Sequence, residues 1–165
     1  MKQQSFTLWS PAFGHDTFLP ARHTCDGRNV SPELRWMYTP EGVASFALIM
    51  EDLDAPTGAR AKGANAKEAF THWVLFDIPA DRQGLPADVH GVGVPGRNDF
   101  QHNKYAGPCP PPNRGQHRYV FRLYALSVAS LDLPSGAERA RVEQVINENL
   151  LGLTEITARF ERRTH

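Results

Sequence analysis

Apolar residues gather in short runs separated by turn-forming residues. Ser5 to Trp9, Phe46 to Met50, Trp73 to Ile78 and Tyr119 to Leu126 are rich in aromatic and β-branched side chains and are bounded by Pro, Gly, Asp or Asn. That is the pattern of sheet strands. Thr154 to Phe160 alternates strictly: Ile156, Ala158 and Phe160 fall on one face and Glu155, Thr157 and Arg159 on the other. The alternation predicts a half-buried strand with one wet face. One helix is predicted near the C-terminus, with Ser135 as its cap, Glu138 three residues on, and Val142, Val145, Ile146 and Leu150 at helical spacing; Gly152 suits the position just past its end. A second, shorter helix over Ala64 to Phe70 competes evenly with a surface loop, because Gly58, Gly63 and nearby basic residues interrupt it.

The stretch from Asp81 to Arg118 is far longer than an ordinary connection and dense in Gly and Pro. A loop of that length in a compact domain is usually functional or disordered, and its aromatics and histidines favour an ordered, functional one. The 13 glycines and 13 prolines of the chain point the same way, to long ordered loops and not a helical bundle. No repeat or linker divides the sequence, and 165 residues fit one domain spanning 1–165. Trp9, Trp36, Phe13 and Phe18 are read as core or as a patch between two copies.

Charge narrows the range of partners. Eighteen basic and 18 acidic residues balance, so the chain lacks the positive field that drives non-specific binding to nucleic acid or anionic lipid. No window is apolar enough to cross a membrane, and Pro11 and Gly14 break the only apolar run near the N-terminus, which argues against a secretory leader. Cys25 and Cys109 are 84 residues apart without a CxxC pair and are read as reduced thiols. The expected compartment is the cytoplasm.

Candidate chemistry lies at the ends of the strand-like runs. Glu51-Asp52-Leu53-Asp54-Ala55-Pro56 follows an apolar run directly. If extended, it sets Asp52 and Asp54 on one side, where like charges raise a pKa or hold a cation; otherwise it is a solvated turn. His72 and His117 each open an apolar strand. Before His117 stands Gly107-Pro108-Cys109-Pro110-Pro111-Pro112, suited to a rigid wall with amide groups turned inward to an anion. Histidine and the Tyr119 hydroxyl would add donors. Gly91, Gly93 and Gly96 match GxGxxG but lack the strand before and helix after that a dinucleotide site needs, so they are read as turns. His15, His23, His90, His102 and His165 have no such context and are assigned to surface or loops.

On these residues the chain resembles the phosphatidylethanolamine-binding protein family, in particular its compact bacterial, Raf-kinase-inhibitor-like branch. The resemblance rests on Asp52-Leu53-Asp54-Ala55-Pro56, His72-Trp73-Val74, Asn98-Asp99-Phe100, Tyr105-Ala106-Gly107-Pro108-Cys109-Pro110-Pro111, and Gly115-Gln116-His117-Arg118-Tyr119, and covers nearly the whole chain. It implies a mainly β fold of two antiparallel sheets, sandwich-like, with a few small peripheral helices and a shallow rim pocket. The implied pocket residues are Asp52, Asp54, Pro56, His72, Gly107, Pro108, Pro111, His117 and Tyr119, with Ala55-Pro56 as a cis peptide. Leu53 replaces the family's usual proline, and residues 57–71 form a longer or differently composed bridge than in the shortest members.

The function expected is non-catalytic: a pocket for phosphate-like anions, phosphorylated head groups or carboxylates, modulating a protein partner, without cofactor, with a homodimer suggested by analogy. Two alternatives compete. A hydrolase would use His72 or His117 as base, oriented by Asp52 or Asp54, with Cys109 the only suggestive nucleophile. A metal site would draw on the same histidines and aspartates, though their spacing is not a ligand motif.

Overall fold

The computed structural model describes residues 4–55 and 69–163. In chain order its elements are β1 (Thr7–Trp9), β2 (Thr17–Phe18), a 3₁₀ turn (Ala21–His23), β3 (Leu34–Met37), β4 (Ser45–Asp52), β5 (Phe70–Pro79), β6 (Gly84–Leu85), β7 (Val94–Pro95), β8 (His117–Leu126), α1 (Arg139–Glu148) and β9 (Leu150–Phe160). The fold is mainly β, as the sequence indicates. A three-stranded sheet runs β1-β3-β6, and a six-stranded sheet runs β2-β9-β8-β4-β5-β7. Every pairing is antiparallel except β2 with β9, which is parallel.

Burial follows from the side chains. All eight residues of β4 are buried, because this strand lies between β8 and β5 and both faces of the sheet are covered. On the inner face, Phe46, Leu48 and Met50 of β4 meet Trp73 and Leu75 of β5, Phe121 and Leu123 of β8, and Leu8, Leu34 and Trp36 of the small sheet. On the outer face, Ala47, Ile49, Val74 and Phe76 pack under Val142 and Ile146 of α1. Two cores thus share one sheet. Trp36 and Phe13 belong to the inner core, whereas Trp9 and Phe18 are exposed.

The helix differs from expectation. It starts at Arg139 after Glu138 and is capped at its C-end by Asn149, while Leu150 and Gly152 belong to β9. Ser135 does not cap it; Gly136 turns the chain at φ +85° before the helix begins. The short helix expected over Ala64 to Phe70 lies outside the described residues, except that Phe70 opens β5. Gly91 and Gly93 adopt positive φ in turns, and no helix follows them.

The reading of Cys25 and Cys109 as thiols is wrong: they form a disulfide with Cα atoms 5.3 Å apart. Folding brings them together because the Cys25 amide donates to the Pro108 carbonyl, docking the two loops side by side. Among the described residues, no helix is long and apolar enough to cross a membrane.

Candidate functional site

Three neighbouring strands, β8, β4 and β5, end at the same rim. There the register sets Asp52 opposite both Tyr119 and Phe70. His72 reaches this group through an irregularity in the ladder. Met50 pairs with Trp73 and Glu51 with Thr71, leaving His72 as an extra residue in β5. Such a bulge re-aims a side chain that alternation would send to the other face. Without it, His72 would follow Val74 toward α1; instead its ring lies edge-on to Tyr119 at 5.4 Å.

Each polar group is held. Nδ1 of His72 donates to the Ala106 carbonyl at 2.6 Å, and the Ala106 amide donates back to the His72 carbonyl. His117 donates from Nδ1 to Oδ2 of Asp52 at 2.7 Å, with both side chains more than nine-tenths buried. The other oxygen of Asp52 accepts the Asp54 amide at 2.8 Å. Tyr119 is fully buried, and its hydroxyl is the buried side-chain polar atom left without a hydrogen-bond partner among the described residues. Burial, and then the nearby Asp52 carboxylate, push its pKa far above that of an ordinary tyrosine, so it stays a donor. Asp52 acts on it electrostatically without making a hydrogen bond of sound geometry.

These groups line a recess together with Ala55, Phe70, Phe100, Cys109, Pro110 and Pro111. Its volume is about 10 Å³, roughly that of one water-sized probe. Phe70, His72 and Phe100 pack edge-on at 4.8–5.5 Å and narrow it. Phe70 and Phe100 were not among the expected pocket residues. The signal for Phe100 was present in Asn98-Asp99-Phe100, whose first two residues are scaffold. Asn98 accepts from the Phe100 and His102 amides and donates to the Lys104 carbonyl, while Asp99 accepts the Thr71 amide.

Of the expected pocket residues, Asp52, His72, Pro111, His117 and Tyr119 come together here. Pro56, with its expected cis bond, lies outside the described residues. Asp54 does not share a side with Asp52: its carboxylate accepts from the amide, Nε and Nη2 of Arg118. The Arg118 hydrogen bonds hold its pKa below the usual carboxylate range, the reverse of a like-charge pair. Gly107 and Pro108 stand behind the wall. The Gly107 amide donates outward to Asn29, not into the recess, and a Cβ there would lie 2.1 Å from the His23 carbonyl. Gly107 is thus glycine because the chain presses on the 3₁₀ turn. His23 is buried and bonded through Nδ1 to the Val30 carbonyl, not a surface residue.

The chemistry available is that of a small donor-rich recess. The disulfide removes Cys109 as a nucleophile. Among the described residues, no three His, Cys, Asp or Glu side chains cluster as a metal site would require.

Comparison with known proteins bears on the sequence and the overall fold. The family model for phosphatidylethanolamine-binding protein matches residues 9–161. A UPF0098 protein of Aquifex aeolicus is 42% identical over 161 residues, 94% of this chain and 88% of that protein. A UPF0098 protein of Methanothermobacter thermautotrophicus is 40% identical, with 94% and 98% covered. The crystal structure of Escherichia coli YbcL, described as a member of the mammalian PEBP family, superposes with a TM-score of 0.84 at 32% identity, covering 96% of this chain and 99% of that one. With its fold and its sequence in agreement, the chain belongs to the phosphatidylethanolamine-binding protein family.

Proposed function

We propose that the chain is a non-catalytic binding protein whose rim recess takes one oxygen of a phosphate or carboxylate group, the rest of the ligand lying at the mouth. The observation that carries this reading is the Tyr119 hydroxyl, buried, held protonated and without a partner. An unpaired buried donor costs about 1–3 kcal/mol, which a ligand oxygen would relieve. The Asp52 carboxylate beside the recess accepts hydrogen bonds at both oxygens, from the Asp54 amide and from His117. Because Nδ1 of His117 is bound to Asp52, its Nε2 donates to an anion only in the imidazolium form. A free phosphate and a lipid headgroup share this chemistry.

The test is calorimetric titration of phosphoethanolamine, inorganic phosphate and acetate into the wild type, Tyr119→Phe and His117→Ala. Binding is expected for the wild type and at least tenfold weaker in each variant. Equal affinity in both variants would sink the assignment; binding of phosphoethanolamine but not phosphate selects the headgroup.

The compartment follows the cysteines. The cytoplasmic expectation came from the lack of a membrane-length or leader-like apolar run, beside a reading of both cysteines as reduced thiols, whereas disulfides form and persist chiefly in oxidising surroundings. We place the protein's work in such surroundings, and protein taken directly from cells into a thiol-alkylating reagent should show both cysteines protected.

A further inference from the structure

A second cleft opens on the other side of the segment that walls the recess. It has a volume of about 400 Å³, within the range of small-molecule sites, of which the first recess falls far short. Its floor is apolar: Trp73 and Leu75 of β5 and the ring of Tyr105, which meets the Trp73 indole edge-on at 5.3 Å. The bulge at His72 separates the two sites, sending His72 to the recess while Trp73 faces the inner core and this cleft.

The rim is cationic. Arg28 and Lys104 both line the cleft, both are exposed, and neither takes part in an ion pair among the described residues. Asp88, the carboxylate on the opposite rim, is engaged by His90 at 3.1 Å. The loop between them adds neutral donors. Gly91 and Gly93 have φ of +72° and +73° with Val92 at negative φ between them. Alternation of this kind gathers successive amide groups into an anion-binding concavity. The amides of Gly91, Val92 and Gly93 donate to nothing among the described residues. Among the described residues, two unpaired cations and three unpaired amides thus border an apolar floor of Trp73, Leu75 and Tyr105.

We propose that this cleft is a second binding site, for a small planar aromatic carboxylate. The ring would lie against Trp73, Leu75 and Tyr105, and the carboxylate would sit between Arg28, Lys104 and the Gly91 to Gly93 amides. The site is independent of the oxyanion recess: it uses neither His117 nor Tyr119.

Indole-3-acetate serves as the probe and indole-3-acetamide, its neutral counterpart, as the control. In two-dimensional amide spectra of the full chain, indole-3-acetate should shift the Gly91, Val92 and Gly93 amides and the Trp73 side-chain N–H. Affinity should fall at least tenfold in Arg28→Ala/Lys104→Ala, the loss expected for hydrogen bonds to charged groups. Both residues are exposed, so the variant keeps its fold, which its spectrum verifies. The acetamide should bind at least tenfold more weakly than the acetate. His117→Ala should leave indole-3-acetate binding unchanged, which separates this site from the recess. The proposal is overturned if millimolar indole-3-acetate leaves those four signals unmoved, if acetate and acetamide bind alike, or if the double variant binds as the wild type does.

Discussion

Glu51 is buried at the end of β4, and its carboxylate lies between the guanidinium groups of Arg122 on β8 and Arg139 on α1. Arg139 also donates to the Thr71 hydroxyl at 3.0 Å. One carboxylate therefore ties the helix to two strands, next to Asp52, which serves the recess on the opposite face. Glu51→Gln keeps the shape and removes the charge, leaving, among the described residues, Arg122 paired with Glu155 alone and Arg139 with Glu143 alone. Because each arginine keeps a carboxylate, the loss falls below the cost of an uncompensated buried charge and near that of hydrogen bonds to charged groups, about 1.5–3 kcal/mol. A loss of about 2 kcal/mol is expected in urea unfolding, and a loss under about 0.5 kcal/mol would show that the Glu51 bridge carries no stability. The neighbouring Arg118–Asp54 pair is exposed and is expected to contribute little to stability; its task is to hold the turn after β4.

At the level of elements, the Cys25–Cys109 crosslink fastens the proline-rich wall to the loop after the 3₁₀ turn. It closes a separation of 84 residues, for which loop-closure entropy gives up to about 4.5 kcal/mol of stabilisation. Unfolding with and without a strong thiol reductant is expected to differ by several kcal/mol. Identical curves, with reduction verified by thiol titration, would show that the wall is held by its hydrogen bonds alone. Neither cysteine advertised this pairing, because proximity came from the Cys25 amide on the Pro108 carbonyl and nothing local encodes that contact. Strand cores, by contrast, were legible: the runs at 46–50, 73–78 and 119–126 all sit inside longer strands. Their ends were not, and the ends carry the site. Asp52 and Asp54 part company because β4 stops at Asp52 and the chain turns. The helix was drawn too long because Leu150 and Gly152 fit a helical spacing as well as the alternation of β9. The sequence points to His72, which lines the recess, but the extra residue that aims it leaves no trace in a single sequence.

Across the whole molecule, stability depends on pH through groups whose environments differ from water. Burial, ahead of the opposing hydrogen bond to Val30, lowers the pKa of His23 from its ordinary 6.5. The unfolded chain then takes up a proton near pH 6.5 that the folded chain refuses, so stability is full above that pH and falls as pH drops toward the lower folded value. Asp54 and Asp16, lowered by Arg118 and Arg159 respectively, stay ionised in both states over this window and add no slope. Thermal unfolding should therefore weaken between pH 7.5 and 5.5, and His23→Gln should lose part of that slope. An unchanged slope in the variant would assign the effect elsewhere.

The bulge in β5 has a consequence for how such a chain can vary. A ladder normally locks every residue to one face, so a single insertion would turn the strand inside out. By absorbing one residue at the rim, β5 lets Thr71 answer to the helix and His72 to the recess while Trp73 to Phe76 keep their alternation. The bulge thus works as a clutch between a fixed interior and a changeable edge. Substitutions around 69–72 can retune what the rim accepts without renegotiating the packing beneath, so one scaffold can serve many ligands with its core unaltered.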